Sequence, residues 1–269
     1  MDQRRMDYHL HTNHSMDGRQ TMDELCRTMV ERGVNEICLT EHIEPGHPEP
    51  WADQPPVWEN WLRDIEKARI DYPTLTIRAG VEIGDNPGFE QKIDEMLSPL
   101  PLDFRMLSLH LVNGRDCYFD GYFEGRTRDE CYREYAEAKA ASVLRWDNFD
   151  CVSHIGYVAK FAPFTGPERP LRYEDAPDAF DTLLRSVIER GKCIEINTSG
   201  YGTTGDALPH NTIVRRYIDL GGEIFTFGSD SHATDRDYDN IERAKDAVRA
   251  MGGKYQASFC QRKMTLYRI

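Results

Sequence analysis

The sequence predicts an α/β fold in which a parallel barrel or sheet is wrapped by outer helices. Two observations carry this expectation. Seven short β-branched or apolar runs alternate with longer helical patterns, the order expected of strand–helix units in series. Histidines and carboxylates stand at the C-terminal ends of these runs, the face on which parallel barrels place their chemistry. A length of 269 residues suits one α/β barrel, so residues 1–269 are expected to form a single barrel domain.

The strands are expected at 6–11, 36–40, 75–81, 105–111, 151–154, 193–197 and 223–228. The first helical pattern, over 21–31, places Met22, Leu25, Met29 and Val30 on one face and ends at Gly33. Further patterns cover 61–68, 89–97 and 128–144. A pattern over 178–189 ends at Gly191, and one over 211–220 ends at Gly221-Gly222, as glycine C-caps favour. A last helix is expected over 238–251, followed by strand-like pieces at 256–259 and 264–269. Residues 46–59 hold four prolines and two tryptophans and are expected to form a packed lid or rim.

Composition narrows the function classes. The net charge of −13, with no Lys/Arg-rich run, disfavours a nucleic-acid track, and no apolar run is long enough to span a bilayer. Residues 1–6 carry charge with no apolar stretch behind them, so no signal peptide is expected and the location is read as cytoplasmic. Seven cysteines without C-x-x-C spacing are read as reduced, buried thiols.

His9-Leu10-His11 sits on a predicted strand, where residues i and i+2 share a face. The two imidazoles then converge, with Tyr8 and Leu10 facing the other way. Asp230-Ser231-His232 repeats the spacing after the last barrel strand. His42, Glu82, His110 and His154 each follow or end another strand. Imidazole with carboxylate suits Zn, Mn or Fe, and a carboxylate such as Glu82 or Asp230 can bridge two ions. Asp17 closes an H-x-H-x5-D loop, with His14 its competitor. His47 is read as exposed or capping, and His210 as a helix flank.

At these residues the chain resembles the polymerase and histidinol phosphatase (PHP) family. The match runs through HLHTNHSMDG (9–18), Thr40-Glu41-His42, Gly80-Val81-Glu82, Ser108-Leu109-His110, Ser153-His154-Ile155 and Gly228-Ser229-Asp230-Ser231-His232. The resemblance implies a distorted (βα)7 TIM-like barrel and a site for three divalent metal ions, Zn, Mn or Fe. The implied ligands are His9, His11, Glu82 and Asp230 for one ion. Glu82, His110 and His154 would serve a second, and Asp17, His42 and His232 a third. Segments 122–126, 195–200 and 220–223 are most similar to the histidinol-phosphate phosphatases of that family. That similarity implies hydrolysis of L-histidinol phosphate in histidine biosynthesis, with another small phosphate monoester or a nucleotide as the alternative. The chain departs from its relatives at Tyr201-Gly202, where Leu-Arg is common, and carries a single lysine, Lys160, after His154.

The expected chemistry is in-line attack on a phosphate monoester by a water activated between ions, with Glu82, Asp230 and His232 as the catalytic candidates. Lys160 is the candidate phosphate anchor, and Asn197 and Ser199 are candidate substrate hydrogen-bonders. Tyr118, Tyr122, Glu124 and the tryptophans of the long loop are placed at the rim to meet the rest of the substrate. A non-catalytic metal-binding barrel is the rival from another class; an intact ligand set argues against it.

Overall fold

The computed structural model describes residues 4–234 and 238–269; residues 1–3, part of the segment read for a leader, lie outside it. Strands and helices alternate as β1 (Met6–Leu10), α1 (Met22–Glu31), β2 (Glu36–Ile43), α2 (Trp58–Asp71), β3 (Thr76–Gly84), α3 (Glu90–Leu97) and β4 (Phe104–Ser108). A two-strand ribbon follows, β5 (Leu111–Val112) with β6 (Arg115–Asp116), then α4 (Arg128–Arg145), β7 (Cys151–Val152) and α5 (Val158–Phe161). The chain continues through α6 (Pro177–Glu189), β8 (Cys193–Asn197), α7 (Asn211–Asp219), β9 (Ile224–Gly228), α8 (Asp239–Ala250), β10 (Tyr255–Cys260) and β11 (Lys263–Arg268).

One sheet runs in the order β1-β2-β3-β4-β7-β8-β9-β10-β11, parallel throughout except for the last pair. Its two sides meet where Asp230 N–H donates to His9 O (2.9 Å) and His11 N–H donates to Ser231 O (2.9 Å). The seam makes a barrel of seven strands, β1 to β4 and β7 to β9. Helix starts follow local chemistry: Thr21 with Glu24, and Thr127 with Glu130, form reciprocal capping boxes at α1 and α4.

Two apolar cores lie on either side of the strands. The larger packs helices on the outer faces, through Leu39, Val81, Leu107, Val152, Ile196 and Phe227. The smaller lies within the barrel and joins Tyr8, Cys38, Phe104, Met106, Cys151 and Cys193 to Ala257 and Phe259 of β10. The C-terminal hairpin β10–β11 thus plugs the base. Six of the seven cysteines are buried and all are free, as the composition led one to expect.

Two expectations need correction. Tyr8 does not face outward: the β1–β2 register slips between Asp7 and Leu10, and this bulge turns Tyr8 and His9 to the interior in succession. The Thr40 hydroxyl accepts from Leu10 N–H (3.0 Å) at that point. The strand expected over 105–111 ends at Ser108, and β7 is only two residues long, so His110 and His154 sit just beyond strand ends.

Candidate metal centre

The mouth of the barrel collects nine side chains from the ends of six strands, β1 to β4, β7 and β9, and from the loop after β1. His9 Nε2 lies 2.9 Å from Glu82 Oε2 and 3.6 Å from Asp230 Oδ1. His11 Nε2 lies 3.3 and 3.7 Å from the same two atoms. The other Glu82 oxygen, Oε1, faces His154 Nε2 at 2.7 Å and His110 Nε2 at 3.3 Å. Asp17 Oδ2 is 3.1 Å from His232 Nε2 and 3.7 Å from His42 Nε2. The structure therefore gathers His9, His11, Asp17, His42, Glu82, His110, His154, Asp230 and His232 at one place, with Glu82 between the first two groups.

Local backbone places these groups. Asp230 has φ of +56°, a left-handed conformation aspartate tolerates better than most residues. Buried Glu41 accepts from Thr12 N–H, Thr12 Oγ–H and Ser15 Oγ–H, pinning the loop that carries Asp17. Two glycines make room. A Cβ on Gly84 would lie 1.7 Å from Glu44 Oε2, and one on Gly228 would lie 2.4 Å from His9 Cβ.

The donor set fits bound divalent ions. Four triplets, among them His9, His11 and Asp230 and also His42, Glu82 and His110, hold ligand atoms within 4.8 Å of one another. His11 Nε2 and His42 Nδ1 are buried with no hydrogen-bond partner, and unpartnered buried polar atoms are costly. The imidazoles of His11 and His232 stack at 4.1 Å, and those of His11 and His42 at 4.3 Å. Burial, then the charges of His232 and His42, hold the His11 pKa well below the usual range. Burial pushes His154 down to about 4. Burial opposes charge at His9 too, but Glu195, Glu82 and Asp230 outweigh it and hold its pKa well above the usual value. Imidazoles and carboxylates packed this closely are the donor types that divalent cations take.

Above the cluster lies a cavity of about 280 Å³. Its floor includes Asp17, His42, Glu82, His110, His154, Asp230 and His232, and its wall carries Glu44, His47, Trp51, Asp116, Tyr118, Tyr157, Lys160 and Phe161. Lys160 Nζ–H donates to Asp230 Oδ2 at 2.8 Å. Tyr118 stacks edge-on to Phe161 with centroids 4.9 Å apart.

Several sequence expectations are redistributed. Asn197 and Ser199 are buried behind Asp230 and are not in the cavity wall: Asn197 Oδ1 accepts from Ser199 N–H and Oγ–H, and Ser199 Oγ lies 3.1 Å from Asp230 Oδ2. Tyr122 is buried, donating to Cys131 O, and Glu124 is exposed; neither reaches the cavity wall. Trp51 does, whereas Trp58 opens α2. His47 is not exposed: it is buried in the wall, its Nδ1 accepting from Glu49 N–H and its Nε2–H donating to Asp116 Oδ2 (3.2 Å). His14 pairs with Asp64, and His210 caps α7. Two carboxylates were missed, Glu44 (2.7 Å from His110 Nδ1) and Glu195 (2.6 Å from His9 Nδ1). The alternation used for His9 and His11 points to both, since Glu44 follows His42 by two residues and Glu195 precedes Asn197 by two.

A parallel barrel with this donor set at its mouth defines a metal-dependent hydrolase framework, and the chain belongs to the PHP domain family, whose sequence profile matches residues 7–199. The chain is 25% identical over 267 residues to the histidinol-phosphatase of Lactococcus lactis subsp. lactis, covering 97% of this chain and 96% of that one. It is 28% identical over 232 residues to a Clostridium acetobutylicum protein named "Probable histidinol-phosphatase", covering 85% and 87% of the two chains. Among solved structures, the Lactococcus histidinol phosphate phosphatase in complex with zinc, L-histidinol and phosphate superposes with a TM-score of 0.90 at 24% identity, over 97% of this chain and 99% of that one.

Proposed function

We propose that the chain hydrolyses L-histidinol phosphate to L-histidinol and phosphate, as a step of histidine biosynthesis. One observation carries this beyond the family likeness: the cavity has two unlike ends. Its floor is the His and carboxylate cluster with Lys160 beside it. Its wall adds two carboxylates, Glu44 and Asp116, and the aromatic rings of Trp51, Tyr118, Tyr157 and Phe161. The first end suits a phosphoryl group; the second suits an ammonium and an imidazole ring. The volume suits a small molecule.

His9, His11, Glu82 and Asp230 would hold one divalent ion, Glu82, His110 and His154 a second, and Asp17, His42 and His232 a third. Zn, Mn and Fe share these ligands. Bound there, the ions lower the pKa of water and neutralise phosphoryl oxygens. Lys160 lies at the edge of the cluster, where its ammonium can donate to a phosphoryl oxygen. Asn197 and Ser199 keep Asp230 directed at the floor. Glu82, Asp230 and His232, which line the cavity floor, would hold the ions against the phosphoryl group. Glu44 and Asp116 receive the cationic end, and the aromatic wall excludes water around it.

Phosphate release from L-histidinol phosphate, compared with p-nitrophenyl phosphate and a single-stranded oligonucleotide, tests the proposal. The expected kcat/KM preference for L-histidinol phosphate is about 100-fold or more. Equal turnover of all monoesters would reduce the claim to a general phosphoesterase, and preference for the oligonucleotide would replace it.

A further inference from the structure

An imidazole ligates only through a bare nitrogen, and what the opposite nitrogen bonds to decides which one is bare. At His9, Nδ1–H donates to Glu195 Oε1 at 2.6 Å. The other carboxylate oxygen, Oε2, accepts the backbone N–H of His154 at 2.6 Å. Asn197 Nδ2 lies 3.3 Å from each. Glu195 is fully buried. Its place exists because residue 228 has no side chain: a Cβ on Gly228 would stand 2.5 Å from Glu195 Oε1.

We propose that Glu195 is a positioning residue that ties two ligand-bearing segments to one carboxylate. One oxygen holds a proton on His9 Nδ1, so that Nε2, directed at Glu82 and Asp230, is the nitrogen that would give up its proton to a bound ion. The other anchors the backbone from which the His154 side chain departs. This rests on the ligand roles proposed above for His9 and His154, and not on which phosphate ester is hydrolysed.

The chemistry separates this role from mere filling of space. Glutamine has the same shape as glutamate but offers one acceptor oxygen where the carboxylate offers two. If that oxygen stays on His154 N–H, the amide N–H2 faces His9 Nδ1. His9 must then carry its proton on Nε2, the wrong nitrogen for a ligand. If the oxygen instead serves His9, the amide opposes His154 N–H and the second segment loses its anchor. A residue that only filled the cavity would be replaced by glutamine without consequence.

The test uses Glu195→Gln in the full-length protein, with His9→Ala alongside. Zinc binding is measured by competition with a graded chelator. The histidine tautomers of the zinc-loaded, 15N-histidine-labelled protein are read from long-range 1H–15N correlations. Thermal unfolding of the metal-free proteins monitors the fold. The expected result is a metal-free protein that still unfolds cooperatively, and about 10–100-fold more free zinc for half-occupancy of the weakened site. One histidine is also expected to lose its Nδ1–H signal. Parent-like zinc affinity and an unchanged tautomer pattern in Glu195→Gln, when His9→Ala loses an ion, would overturn the positioning role alone. If His9→Ala itself binds zinc like the parent, the ligand assignment falls, and this inference with it.

Discussion

The two ends of the barrel treat buried charge in opposite ways. At the base, each carboxylate finds its partners within the chain. Glu36 accepts from Ser258 Oγ–H (2.6 Å) and meets Arg4 (2.9 Å) and Arg78 (3.1 Å). Asp103 accepts from the N–H groups of Ala79 and Gln261, and Asp150 from Arg105 N–H and the Arg262 guanidinium. At the mouth, the carboxylates face six imidazoles and one lysine, and two imidazole nitrogens, His11 Nε2 and His42 Nδ1, lie near carboxylates without a hydrogen bond. The base carboxylates are matched by guanidinium, hydroxyl and N–H groups of the chain, whereas the mouth carboxylates are matched by imidazoles, which also ligate metal. Buried charge therefore serves stability at one end and ligand binding at the other.

Four experiments can break or sharpen this contrast. Asp230→Asn should cut phosphatase kcat at least about 100-fold, while the melting temperature of the metal-free protein changes by only a few degrees; a large loss of stability would place Asp230 with the base. Glu36→Ala should do the reverse. It leaves Arg78 and Arg4 without their shared carboxylate and should cost about 3 kcal/mol in denaturant unfolding, with kcat of the folded enzyme unchanged. Next in size is Tyr118→Ala, expected to raise KM for L-histidinol phosphate about 10-fold while leaving p-nitrophenyl phosphate hydrolysis untouched. An equal effect on both substrates would remove Tyr118 from the rim's selective wall.

The smallest effect concerns Lys139, buried in α4 and donating to Leu107 O at 2.9 Å. Burial lowers its pKa to about 8, against 10.5 ordinarily. The unfolded chain binds this proton more tightly than the folded one, so the penalty is fully present below pH 8 and is relieved as pH rises toward 10.5. Lys139→Met should add about 1 kcal/mol of stability at pH 7, and denaturant midpoints should show that gain shrinking between pH 8 and 10.5.

Much of the architecture and the ligand cluster could be read from the sequence, for a physical reason. His, Asp and Glu at successive strand ends are expensive to bury, so their pattern stands out against apolar runs. What stayed hidden depends on geometry that periodicity does not carry. The β1 bulge changes which side chain follows which, and misplaces Tyr8. The loop containing His47 folds inward through a hydrogen bond to Asp116, a residue far off in sequence. Tyr122 and Glu124 lie close to Tyr118 along the chain, but the 3-10 turn at 120–122 carries them out of the cavity wall. Glu44 and Glu195 were visible as residues yet lacked a role until their imidazole partners were placed.

The seam that closes the barrel runs through the site itself, since His9 and His11 pair by backbone with Asp230 and Ser231. Both margins of that seam come from opposite ends of the chain. A ribosome-bound chain that has not yet exported residue 230 has no such site, whatever its earlier strands have done. On the ligand sets proposed above, two of the three ions wait for that segment, and a chain cut short before its last barrel strand would lack both even where its other helices and strands had formed.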